Sequence, residues 1–324
     1  MTADTTGLQT TGRGRLGDPL FRWLLVGAGA AVLVLLGLMI GSTSLDALPV
    51  FRSEGLGFLT GTEWNPGRSR TEVTGTYGAL PFIYGTLVTA AVALVIALPL
   101  AVGVALYLSQ LAPQWVRAPL SYTVDMLAAV PSVVYGLWGL LFFVPLVLRP
   151  YVMEPLHRAL GFIPFFEGPV ITFSYLAAGA VLAIMILPII TAIAREVFAT
   201  VPEPERQAAF ALGATRWEVM RGVVLPRCRP GIIGATMLGL GRALGETIAV
   251  ALLVGSTVQI APSLFAPGYT MASIIANTFQ EAAPEGIDAL LAVGVALFAI
   301  TILVNVAARL IVWRMGDLAG DAGL

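Results

Sequence analysis

The chain contains no lysine: all eighteen of its basic side chains are arginine. A phosphate-binding P-loop needs the lysine of G-x-x-x-x-G-K-[ST], and imine chemistry needs a lysine amine. Neither a standard ATP site nor a Schiff-base enzyme can therefore be built from this sequence. Any ATP used in its work must be bound by another subunit. Cys228 is the only cysteine, which excludes an internal disulfide, and His157 is the only histidine, which excludes a triad or metal cluster that needs a second imidazole. Charged residues make up only 11% of the chain and the net charge is -1, so nothing points to nucleic acid as a partner.

What the chain has in excess is apolar surface. Hydrophobic residues make up 57% of it and the mean hydropathy is +0.88, too apolar for a soluble domain of this length. The expected class is an all-α, polytopic membrane protein in contact with lipid. Residues 1–21, rich in Thr, Gly and Arg, read as a disordered tail. Residues 22–45 hold a first transmembrane helix, with a charge-free run of eighteen residues from Trp23 to Ile40. That run is longer than the usual signal-peptide core and has no clear small-residue cleavage site, which leaves cleavage as a minor alternative. A polar connection at 46–77 is long enough to form a small cap on one face.

The core at 78–313 is expected to contain five more spans and a connecting loop at 196–230, followed by a tail at 314–324. The spans fall at 78–108, 119–148, 169–194, 231–255 and 289–308, with Pro99 and Pro188 as candidate kinks. Tyr269 to Phe279 reads as a re-entrant or interfacial helix. Six spans put both termini on one side. Twelve arginines then fall on that side, five on the other, and Arg242 inside the membrane. By the positive-inside rule the termini and the loop are cytoplasmic.

Within that loop, Glu203 to Pro226 carries the densest charge in the chain. Pro204 suits a first helical turn, Gly213 can end that helix, and Thr215-Arg216-Trp217-Glu218 has capping-box spacing for a second. Two short helices around a glycine turn, with Phe210 and Trp217 as apolar anchors, make a knob suited to a groove on a soluble partner. Gln207-Ala208-Ala209, then three residues, Gly213, nine residues and Val223-Val224-Leu225-Pro226 resembles the EAA loop of bacterial ABC importer permeases. Gln207 stands where that family usually has Glu, and Val223 where it has Ile.

The span after the loop reads GIIGATMLGLGRALGETIAVALLVG, with Arg242 about 18 Å along the helix from Pro230. That is near the centre of a bilayer core of about 30 Å. A charge there costs about 2.5 to 3.5 kcal/mol on insertion scales, so it must face protein or water. Arg242 and Glu246 stand at i, i+4, on one face of a continuous helix. Two readings stay open. The pair is either a self-neutralising structural bridge, or a site where Arg242 offers its donors to an oxyanion while Glu246 holds the empty site and competes. Gly241 and Gly245 have the spacing that admits a close neighbouring helix. Pro131 and Gly136, flanking Ser132 and Tyr135, can open backbone toward a cavity or simply kink a packed helix.

The stretches FLTGTEWNP (58–66), YGALPFIYGTL (77–87) and RALGETIAV (242–250) resemble the PstC-type permeases of bacterial phosphate ABC importers. The resemblance implies a type I ABC importer permease fold and transport of inorganic phosphate. The implied partners are a second permease (PstA type), two copies of an ATPase (PstB type) that holds ATP and Mg, and an extracytoplasmic phosphate-binding protein (PstS type). It also implies a non-catalytic chain in the cell membrane with no bound cofactor. Arg242, Glu246, Ser132 and Tyr135 are then the candidate pathway residues, and Gln207, Ala208, Ala209, Phe210, Gly213 and Trp217 the ATPase contacts. The rival readings are a permease for sulfate or molybdate and a non-transporting membrane sensor or scaffold.

Overall fold

Among the described residues, five helices are long and apolar enough to cross a membrane, and one bent pair of helices, taken as one span, supplies a sixth crossing. The computed structural model describes residues 17–65 and 76–321. Residues 1–16 of the tail expected at 1–21, residues 66–75 of the cap, and residues 322–324 lie outside the described residues. Helix α1 (Gly17–Asp46) is followed by two short helices, α2 (Leu48–Glu54) and α3 (Gly57–Thr60), and by the hairpin β1 (Trp64–Asn65) and β2 (Thr76–Tyr77). Helix α4 (Leu80–Leu106) runs on through a π-helical turn to Leu111. After it come α5 (Gln114–Ala128), α6 (Ser132–Trp138) and α7 (Glu154–Leu160), with a π-helical stretch Gly139–Met153 joining α6 to α7. The remaining helices are α8 (Tyr175–Ala199), α9 (Glu203–Ala211), α10 (Arg216–Val219), α11 (Leu225–Gly245), α12 (Ile248–Val254), α13 (Met271–Thr278) and α14 (Pro284–Asp321).

Helix α8 is the axis of the bundle. Most of its side chains are buried among α4, α11, α5 and α12. Its partners approach closely because small residues let them: Gly179 sits against Val92 of α4, and Gly239 of α11 against Ile190. At one end of the bundle, Phe58, Tyr77 and Phe82 are buried with Leu290 and Val293 of α14. Trp64 meets Tyr77 and Phe82 edge-on at centroid distances of 5.2 and 5.0 Å, so the 46–77 connection is a packed cap where it is described. At the other end, α9 and α10 form the loop.

Several boundaries differ from the sequence expectation. Helix α1 already includes residues 17–21, which the sequence expectation placed in the tail; Asp18 and Pro19 are compatible with an early helical turn. The expected span 119–148 is two helices: α5 ends at Ala128, and Pro131, which has no N–H to donate and restricts Val130, separates it from α6. The crossing itself is Ser132–Leu160, so much of the expected 149–168 loop is helical. Pro145 and Pro150 lie inside its π-helical stretch, where the carbonyls they leave unpaired are accommodated by wider turns. Helix α14 continues past 313 to Asp321.

Candidate functional site

The largest departure lies in the span that carries Arg242 and Glu246. It is not one helix: α11 stops at Gly245, and α12 leaves at 64° to it after a two-residue break. Glu246 has extended backbone, φ -68 and ψ 125, so the i, i+4 face expected from a continuous helix does not exist. Gly245, a weak helix former, and β-branched Thr247 flank the break, and the Glu246 side chain offers a substitute for the lost turn. Its Oε1 accepts from the Ala249 N–H at 3.4 Å, which partners one of the orphan donors that open α12. Glu246 is buried, at 8% exposure. Arg242, in the last turn of α11, is exposed.

Among the described residues no ion pair joins the two; the five present lie elsewhere. The structural-bridge reading and the idea that Glu246 clamps Arg242 in the empty site are both corrected by this geometry. An arginine at a helix C-terminus is favoured by the helix dipole without a carboxylate partner. Backbone broken at membrane depth is tolerated where it is buried or lines a cavity, and transporters build substrate sites at such breaks.

Helix α6 packs against α12 at the same level. A Cβ added to Gly136 would meet the Ala249 Cα at 2.9 Å, so the two helices touch backbone to backbone. Tyr135 is buried, and its hydroxyl donates to the Leu127 carbonyl at 2.8 Å across the α5–α6 break. Ser132 opens α6, half-buried. The structure thus brings Tyr135, Glu246 and Arg242 to neighbouring positions around two helix breaks. Gly241 and Gly245 have open space where a Cβ would stand, so their face is free for a close neighbour.

The loop forms as its spacing predicts. Helix α9 ends before Gly213, which takes φ +86, and Thr215 caps α10 in a complete capping box with Glu218. The Glu218 carboxylate accepts from the Thr215 N–H at 2.7 Å and from its hydroxyl at 2.8 Å. Those bonds hold its pKa below the usual carboxylate value. Gln207, Ala208, Phe210, Gly213 and Trp217 are exposed, whereas Ala209 is half-buried and its carbonyl accepts from the Ala214 N–H at 3.1 Å. Leu212, at 90% exposure, adds an apolar contact that sequence reasoning passed over.

Beneath the exposed surface, Val219, Met220 and Val224 are buried with Phe198 of α8 and Leu106 of α4. Arg206 pairs with Glu203 and donates to the Gln110 side-chain carbonyl beyond α4. Glu205 pairs with Arg227 of α11 at 3.2 Å. The knob is therefore fastened to α4, α8 and α11, the last of which carries Arg242.

Residues 97–317 match the family described as binding-protein-dependent transport system inner membrane component. The chain belongs to this family, among its PstC-type members. A phosphate transport system permease protein PstC of Xylella fastidiosa strain Temecula1 is 43% identical over 308 residues, 94% of this chain and 93% of that one. A PstC of Haemophilus influenzae is 42% identical, covering 89% and 91%. PstC 2 of Mycobacterium tuberculosis is 40% identical, covering 92% of each. In fold, the chain is similar to a subunit in the crystal structure of a bacterial ABC transporter involved in import of the acidic polysaccharide alginate. The TM-score is 0.62 at 16% identity, over 93% of this chain and 99% of that one. The inward-facing MetNI methionine ABC transporter aligns at a TM-score of 0.51 and 21% identity, over 74% and 94%. The all-α importer-permease fold of a PstC-type membrane protein is thereby established.

Sequence reasoning missed the ties between elements. Asp125 of α5 and Arg195 of α8 form an ion pair at 3.3 Å, 70 positions apart, and Gln110 and Arg206 are 96 positions apart. The only signal for any of them was the presence of charge in an apolar chain.

Proposed function

We propose that this chain is a transmembrane permease subunit of an ATP-driven phosphate importer. The observation that carries this reading is the exposed Arg242 guanidinium at a break in a membrane span, joined through α11 to a knob that presents Phe210, Leu212 and Trp217. A guanidinium offers a fork of donors suited to an oxyanion. The fold supplies the route across the membrane, and the names of the PstC relatives supply phosphate as the oxyanion.

In this reading both termini and the 203–226 loop are cytoplasmic, following the arginine asymmetry. Two copies of a PstB-type ATPase bind ATP and Mg, and one of them docks on Gln207, Ala208, Ala209, Phe210, Gly213 and Trp217. A PstA-type permease packs against the open glycine face of α11. A PstS-type extracytoplasmic protein delivers phosphate at the cap end. Closure of the ATPase pushes the knob, and the ties to α4, α8 and α11 carry the displacement to the α11–α12 break. Access to Arg242 switches from the outside to the inside. The chain itself performs no bond chemistry.

The test is uptake of labelled phosphate, sulfate and molybdate in a strain lacking this subunit, with and without the restored gene. Restoration of phosphate uptake alone is the expected result. Restoration of sulfate or molybdate uptake instead reassigns the substrate. ATP hydrolysis without movement of any of the three anions replaces the permease by a sensor.

A further inference from the structure

We propose that Arg195 is a second anion station on the cytoplasmic side of Arg242, parked on Asp125 when no anion is present. The inference rests on the permease reading above. Helix α8 packs antiparallel to α11, with Ile190 against Gly239 and Val197 against Gly231. Arg242 therefore lies beside the turn near residue 187 of α8. Arg195 stands about eight residues further toward the loop, roughly 12 Å away along the axis.

Polar groups link the two levels. The Tyr135 hydroxyl, on the helix that packs against α12, donates to the Leu127 carbonyl of α5, and Asp125 lies two positions before Leu127. Asp125 then holds Arg195.

The pairing is that of a parked fork rather than a saturated one. A strong arginine–carboxylate bridge uses two nitrogens on two oxygens, at about 2.7 to 2.9 Å. Here Nη2 alone reaches both Asp125 oxygens, each at 3.3 Å. Nη1 is buried and has no protein partner among the described residues. A buried donor left unpaired is costly in a side chain whose only role is to bridge two helices. The arrangement suits a group that releases one partner and takes another. An oxyanion leaving Arg242 would displace the Asp125 carboxylate from Nη2, turn the guanidinium so that Nη1 also donates, and pass to the cytoplasm when Asp125 returns.

The test uses the reconstituted complex with its partner permease, ATPase and loaded binding protein. Uptake of labelled phosphate by the unaltered complex checks the permease reading separately. In a Cys228→Ala chain carrying Ala192→Cys, one turn from an intact Arg195, inorganic phosphate on the cytoplasmic side is expected to slow modification by a small thiol reagent. Chloride at equal ionic strength is not. Equal rates in the two salts overturn the proposal.

Asp125→Asn also leaves Arg195 in place, and it decides the matter if the cysteine chain fails to assemble. Freed from its competitor, Arg195 should hold phosphate more tightly, and internal phosphate should inhibit uptake at about tenfold lower concentration. Loss of a merely structural bridge lowers uptake equally at every internal phosphate concentration, and that result overturns the assignment.

Discussion

Glu205 of α9 and Arg227 of α11 meet at 3.2 Å, which ties the first loop helix to the helix that carries Arg242. Both side chains are partly exposed, so the pair contributes less than about 1 kcal/mol to stability. Its worth lies in transmission. Arg227→Ala should leave the complex as heat-stable as before while lowering the phosphate moved per ATP hydrolysed. Reversing the charges, Glu205→Arg with Arg227→Glu, should restore the ratio. Both quantities are read from the same proteoliposomes.

Gly213 holds φ +86, a conformation that costs a residue with a Cβ about 1 to 2 kcal/mol. Open space surrounds the position, so Gly213→Asp acts through the backbone and through its charge, not through a clash. The chain should still insert in the membrane, and the ATPase should be lost from a pull-down.

Glu218 makes the loop sensitive to acid. Its folded-state pKa is depressed by the Thr215 bonds. The stability it adds is present above the ordinary carboxylate pKa and disappears as pH falls through the depressed one. Amide exchange over 215–219 should therefore quicken, relative to the buried α8, as the medium is made acidic. Glu218→Gln should abolish that dependence. Thr215→Ala removes the cap itself, at a cost of about 1 kcal/mol, and should raise exchange at every pH.

Arg242 should be indispensable to uptake but not to assembly, because it is exposed and has no ion-pair partner among the described residues. Arg242→Gln should reduce labelled-phosphate uptake to background in a complex that still purifies intact. Arg242→Lys keeps the charge but loses the planar fork, and should recover only part of the uptake.

How much of this could be read in advance depended on range. The capping box at Thr215 and Glu218 and the turn at Gly213 are set by residues three or four apart, so the sequence displayed them. Apolar runs likewise marked the spans. The break at Glu246 was hidden, because RALGE reads locally as a good helix. Gly245 and Thr247 weaken that helix only locally, and it is the packing of α12 on α6 that ends it there. The Asp125–Arg195 and Gln110–Arg206 ties belong to tertiary structure and leave no trace in local spacing.

Gly136 is where that packing can be tested. A Cβ there meets Ala249 backbone, which cannot swing aside as a side chain can. Gly136→Leu should force α6 and α12 apart, at a cost of about 1 to 3 kcal/mol. Uptake should fall even though no pathway side chain has changed. A shift in cysteine cross-linking between 132 and 249 would report the separation.

Because Gln110, Phe198 and Arg227 all lie outside the hairpin they hold, the hairpin is not a cassette. Grafting another importer's loop into this subunit would present a foreign ATPase with the right shape on the wrong mounting. Chimaeras should work only when those three anchoring positions travel with the graft.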